Sequence, residues 1–128
     1  MEQGPEVWSV DHDGDWLAQT GKFLRNKGLP DDRLYTWSEF QAIPKPRFDL
    51  ILHDMGYLSN DGYIEERANV FEEILNILNP GGIVVIDDFQ VLAYRRAIFK
   101  RAGERQVSMR SLRWLTLDQY MRYACLVY

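Results

Sequence analysis

Hydrophobic and polar positions along the chain switch repeatedly between a period near two and one near three and a half, so strands and helices are expected to alternate. Glu6 to Val10 reads as a short strand, followed by the turn-rich Asp11-His12-Asp13-Gly14. A helix then carries Trp16, Leu17, Thr20, Phe23 and Leu24 on one face, with Asp13 or Asp15 as its cap and Gly28-Leu29-Pro30 as its stop. Arg33 to Trp37 predicts a second short strand. Beyond Pro44 and Pro46, Phe48 to His53 is almost continuously apolar, the pattern of a central strand covered on both faces. Gly56 to Gly62 reads as a loop. Ile64, Ala68, Phe71, Leu75 and Leu78 recur at helical spacing, and Asn79-Pro80-Gly81-Gly82 ends that helix. The β-branched run Ile83 to Ile86 predicts another central strand beside Phe48 to His53, closed by Asp87-Asp88. A third helix is expected over roughly Val91 to Arg101. Two tail strands near Gln106 to Arg113 and Met121 to Tyr128 lack a long crossover and should pair antiparallel.

This order argues for an α/β fold with a mostly parallel sheet, helices on both faces and an antiparallel C-terminal strand pair. Ligands of such sheets bind beyond the carboxyl ends of the strands. Here the exits are Asp11 and Asp13, then Asp54, then Asp87 and Asp88. Carboxylates in those places suit ribose hydroxyls or a hard divalent ion. With 128 residues, one domain over 1–128 is expected.

Charge adds a second asymmetry. Residues 1–90 carry 17 acids against 7 bases, whereas 91–128 carry 2 against 8. Arg95, Arg96, Lys100, Arg101 and Arg105 fit the solvated face of the third helix, and no aromatic platform accompanies them, so nucleic acid is not the expected partner. No run reaches the ~20 apolar residues of a membrane span and no basic-then-apolar leader opens the chain, which points to the cytoplasm. The single cysteine, Cys125, lies in an apolar run and excludes a disulfide framework.

Three segments carry a resemblance to class I S-adenosylmethionine-dependent methyltransferases, in motif order and over nearly the whole chain. Glu6 to Asp13 resembles the family's second strand, Phe48 to Asp54 its fourth, and Leu78 to Asp88 its fifth with the preceding turn. The resemblance implies a truncated Rossmann-like three-layer sandwich, because the family's first strand, glycine-rich loop and helix have no counterpart ahead of Glu6. That strand normally lies between those matched here by Glu6 to Val10 and Phe48 to His53, so either an unpaired edge is expected or those two strands are forced together; if the first strand has lost its neighbour, its edge, with Trp8 nearby, should be covered by a second copy of the chain in a homodimer. It further implies that Asp11, with His12 beside it, takes the ribose hydroxyls of S-adenosylmethionine, and that Trp37, Ser38 and Glu39 lie near the adenine. In the metal-dependent O-methyltransferase branch the positions of Asp54, Asp87 and Asp88 hold Mg2+ or another divalent cation. His53 and Asp54 fall at the reaction centre, with His53 either a base or a packed core histidine. The implied chemistry is methyl transfer to a hydroxyl of a small molecule.

Two other classes compete. A shortened methyltransferase fold can serve as a non-catalytic interaction or dimerisation module, since fold does not establish activity. Asp11-x-Asp13 after a strand also resembles haloacid-dehalogenase-like phosphatases, although Asp15-Trp16 replaces their usual Thr and apolar pair and no Lys stands where a phosphate needs one.

Overall fold

The computed structural model describes residues 5–55 and 61–128. They fold as two compact units, Met1–Lys45 and Pro46–Tyr128. The first contains β1 (Ser9–Asp11), α1 (Gly14–Asn26), β2 (Leu34–Thr36) and α2 (Trp37–Ala42). β1 and β2 pair in parallel, Val10 opposite Tyr35. Asp13 caps α1, its Oδ1 accepting from the amides of Asp15 at 2.8 Å and Trp16 at 3.4 Å, and Gly28 follows the helix at φ +67°. The short helix α2 was not expected from the sequence. Its start is a reciprocal cap in which the Thr36 hydroxyl and amide meet Glu39, a Thr-x-x-Glu signature legible at 36–39. Trp8 stacks on Tyr35 at 5.3 Å and meets the edge of buried Phe40.

The second unit contains β3 (Phe48–His53), α3 (Asp61–Asn76), β4 (Leu78–Ile86), α4 (Leu92–Arg105), β5 (Met109–Ser111), α5 (Arg113–Thr116) and β6 (Cys125–Val127). Its sheet runs β3-β4-β6-β5, with β3 and β4 parallel and β6 antiparallel to both β4 and β5. The sheet is therefore mixed, and the antiparallel tail pair is present. The expected loop at 56–62 lies mostly outside the described residues, while Asp61 and Gly62 belong to α3. The Pro-Gly-Gly segment is part of β4 in its wide, shifted pairing with β3. Gly81 sits at φ +79°, and a Cβ on Gly82 would come within 2.9 Å of the Asn79 carbonyl and the Leu78 side chain, so both glycines are required.

Burial alternates along Gly82 to Ile86 of β4 and along β6, and β3 turns His53 inward. Val84, Ile86, Cys125, Val127 and His53 are buried, packed with Phe71, Ile98 and Ala102 in one core. On the other face Leu50 is 65% and Leu52 69% exposed. The sequence expectation of β3 as a central strand covered on both faces is corrected here. Among the described residues β3 pairs only with β4, so it is an edge strand. Apolar continuity records what a strand is suited to bury, and a neighbour decides whether it is buried. The basic residues of α4 behave as a helix face: Arg101 bonds Glu65 at 2.6 Å and Asn69 at 2.5 Å on α3, and Arg105 bonds Asn76.

Candidate functional site

In residues 46–128 the carboxyl ends of the two parallel strands bring together His53 and Asp54 from β3 and Asp87 and Asp88 from β4. Register does this directly, because His53 pairs with Ile86 and the Asp87 amide donates to the His53 carbonyl at 3.1 Å. The group at their centre is one the sequence did not single out. Arg67, on α3, is only 1% exposed, and its Nη2 donates to Asp54 Oδ1 at 3.4 Å and to the Asp87 carbonyl at 3.3 Å. Its Nη1 faces Asp88 Oδ2 at 3.6 Å, and the guanidinium lies over the Tyr94 ring of α4 at 4.7 Å. A buried guanidinium needs such company, since an isolated charge in a low-dielectric interior is costly. The pairing is nevertheless loose compared with the 2.7–2.9 Å typical of charge-assisted bonds. Arg67 Nε and Nη1 and the Tyr94 hydroxyl have no hydrogen-bond partner among the described residues.

His53 is held from the other side. Its Nε2 lies 3.1 Å from the Arg67 backbone carbonyl, which can only accept, so Nε2 carries the proton and Nδ1 is the unprotonated nitrogen. Burial first, and the Arg67 charge second, push its pKa down to about 4. The ring is therefore neutral near pH 7, and its free Nδ1 is buried without a partner. Asp54 is the outward-facing member, with its side chain 57% exposed. Desolvation raises its pKa, opposed by Arg67 and assisted by the charges of Asp87 and Asp88. That makes it a somewhat better proton acceptor than an ordinary aspartate.

The carboxylates of Asp54, Asp87 and Asp88 are largely engaged within the chain. Among the described residues no group of three or more His, Cys, Asp or Glu side chains is arranged to hold a metal ion. Most of the oxygens are engaged: Asp54 Oδ1 and Asp88 Oδ2 face Arg67, Asp87 Oδ1 accepts from the Asp88 amide at 2.8 Å, and Asp88 Oδ1 accepts from Gln90 at 3.2 Å. Asp88 is held at φ +54°. A divalent ion would have to share these carboxylates with a cation already seated among them.

In residues 1–45 the exit of β1 places Asp11 and His12 at the surface. Asp11 Oδ1 accepts from the Asp13 amide at 2.9 Å and faces His12 Nδ1 at 3.3 Å, with both side chains partly exposed. The turn thereby orients a partly exposed carboxylate of the kind that could accept from ribose hydroxyls. Glu39 completes the Thr36 cap of α2, its Oε2 accepting from the Thr36 hydroxyl and amide, both at 2.7 Å, which holds its pKa low, and the Ser38 hydroxyl lies 3.2 Å from that of Thr36. Trp37 packs beside Phe40 with ring centroids 5.9 Å apart. The second acid of the phosphatase-like pattern, Asp13, has its Oδ1 taken by the first amides of α1.

Arg67 and Tyr94 are the site residues that sequence reasoning missed. A signal existed for Arg67, which stands three residues after Ile64 and four before Phe71, on the apolar stripe of α3. An arginine in such a stripe implies a buried partner.

Among solved structures the fold has many counterparts. An O-methyltransferase from Bacillus cereus, solved in complex with SAH, matches at 16% identity and a TM-score of 0.70, over 98% of this chain and 62% of its own. A methyltransferase from Pyrococcus furiosus matches at 17% identity and a TM-score of 0.75, over 95% and 61%. The O-methyltransferase TomG from Streptomyces achromogenes, of tomaymycin synthesis and solved with SAM, matches at 14% and 0.65, over 92% and 58%. Neither a protein-family profile nor a curated protein matches the sequence. The chain thus has the Rossmann-like fold of the class I methyltransferases and spans about 60% of the length of these three structures.

Proposed function

We propose that the chain forms part of an S-adenosylmethionine-dependent methyltransferase acting on a hydroxyl of a small molecule. The observation that carries this reading is the fold itself, which follows O-methyltransferases solved with SAH or SAM over 92–98% of the chain. When bound, the cofactor would supply an electrophilic methyl group on sulfonium sulfur. Asp11 accepts the ribose hydroxyls, its orientation set by the Asp13 amide. Asp54, exposed and with a raised pKa, accepts the proton that the substrate hydroxyl loses as its oxygen–methyl bond forms. His53 does not take that proton. It is buried, neutral, and fastened to the Arg67 carbonyl, so it positions α3 against β3. The divalent ion of the metal-dependent branch has no part in this reading, because Arg67 stands among its expected ligands.

Calorimetric titration with S-adenosylmethionine and S-adenosylhomocysteine tests it. Binding of both is expected, weakened about tenfold or more in Asp11→Asn, since one carboxylate hydrogen bond to a hydroxyl is worth ~1.5–3 kcal/mol. No binding, or phosphate release from a generic phosphomonoester, overturns the reading.

Self-association belongs to the same proposal. An edge strand with apolar neighbours is closed readily by a second copy. The free edge of β3, flanked by exposed Leu50 and Leu52, supports this. Light scattering at micromolar concentration should give a dimer, and a Leu52→Lys variant should give a monomer.

A further inference from the structure

We infer that the Arg67 guanidinium is the resident cation of the carboxylate cluster at the ends of β3 and β4, standing in place of the divalent ion for which Asp54, Asp87 and Asp88 are spaced. The warrant is geometric. Three acids at two adjacent strand exits repel one another, and the cluster requires a positive charge. The structure supplies one from within the chain: Nη2 reaches Asp54 and the Asp87 carbonyl, Nη1 faces Asp88, and the Tyr94 ring supports the guanidinium face at 4.7 Å. The charge is tethered as well as enclosed. The Arg67 backbone carbonyl is fastened to His53 Nε2 at 3.1 Å, so α3 holds the residue at the strand ends from two directions.

A divalent ion entering the cluster would meet this guanidinium within a few ångströms and would have to compete with it for oxygens. The bonds already described leave Asp54 Oδ2 and Asp87 Oδ2, so an ion bound there would take the rest of its shell from water while facing a fixed positive charge. The chain therefore needs no metal for the integrity of this end of the sheet. Arg67 is a positioning residue: it fixes Asp54, the outward-facing carboxylate, by its inner oxygen and leaves the outer one to the surface.

The test is Mn2+ alone, followed by the paramagnetic resonance of the free ion, with no cofactor and no assay of activity. It is thus independent of the methyl-transfer reading. The wild-type chain should leave the free-ion signal of about 1 mM Mn2+ unchanged, as expected where a fixed guanidinium already neutralises the carboxylates. Arg67→Met, which keeps an unbranched apolar stem and removes the guanidinium and its charge, should bind one Mn2+ per chain. Adding Asp88→Asn to that variant should weaken the binding about tenfold or more. The inference is overturned if the wild-type chain binds Mn2+ at a site that Asp88→Asn weakens, or if Arg67→Met, folded by circular dichroism, binds none. Should Arg67→Met fail to fold, the wild type and Asp88→Asn alone decide: saturable, Asp88-dependent binding overturns the inference and its absence upholds it.

Discussion

Two sets of acids close the parallel strands of this chain, and they look alike in sequence while differing in physics. Asp11 leaves β1 into a solvent-facing turn, where an amide two residues on orients it. Asp54, Asp87 and Asp88 leave β3 and β4 around a guanidinium that is 1% exposed. The first is a surface acceptor with little structural duty. The second is a charge cluster that the fold must neutralise internally. The difference teaches that an acid at a strand end becomes a ligand site only if the helix packed above it leaves the carboxylates free.

The comparison breaks most visibly at Arg67. Arg67→Ala should lower unfolding stability by about 3 kcal/mol in urea, because removing one member of a buried charge group leaves the others uncompensated and opens a cavity. Asp11→Asn should change it by less than about 0.5 kcal/mol, since an amide oxygen still accepts the Asp13 N–H. Equal losses at the two positions would erase the distinction drawn between them.

A pH titration sharpens it next. The folded-state pKa of His53, about 4, lies below the 6.5 of a free imidazole, so unfolded chains bind the extra proton between those values. The stability owed to a neutral His53 is complete above about pH 6.5 and is lost as pH falls towards 4, by a few kcal/mol at most, about 1.4 per unit. Asp54 acts in the opposite direction, because its raised pKa makes protonation favour the fold, so the net loss is smaller. His53→Gln should flatten the slope between pH 6.5 and 4 in urea melts repeated across that range.

Smaller effects separate turn chemistry from buried chemistry. Asp13→Ala should cost about 1 kcal/mol by loss of the α1 cap. Tyr94→Phe should lie within about 0.5 kcal/mol of wild type, because the hydroxyl it removes makes no hydrogen bond among the described residues and its ring, the part that faces Arg67, is kept. A loss above about 1 kcal/mol in thermal or urea melts would mean that the hydroxyl has a partner after all.

Much of this architecture is written in short-range pattern. The β3 run, the β-branched Ile83 to Ile86, the Asp13 cap, the Gly28 stop and the antiparallel tail are set by periodicity, capping chemistry and turn geometry, which act over a few residues and so can be read one segment at a time. The strand exits were legible for the same reason: Asp54, Asp87 and Asp88 end apolar runs, and parallel register alone brings them to one edge. Two features were decided only in tertiary structure. The apolar character of β3 did not reveal that its Leu50 and Leu52 face would be open, because coverage depends on which strand and helix arrive beside it. Arg67, fourteen residues beyond His53 and twenty before Asp87, was invisible as a partner of either until α3 folded back over the strand ends and low-dielectric packing made its charge the cheapest neutraliser available.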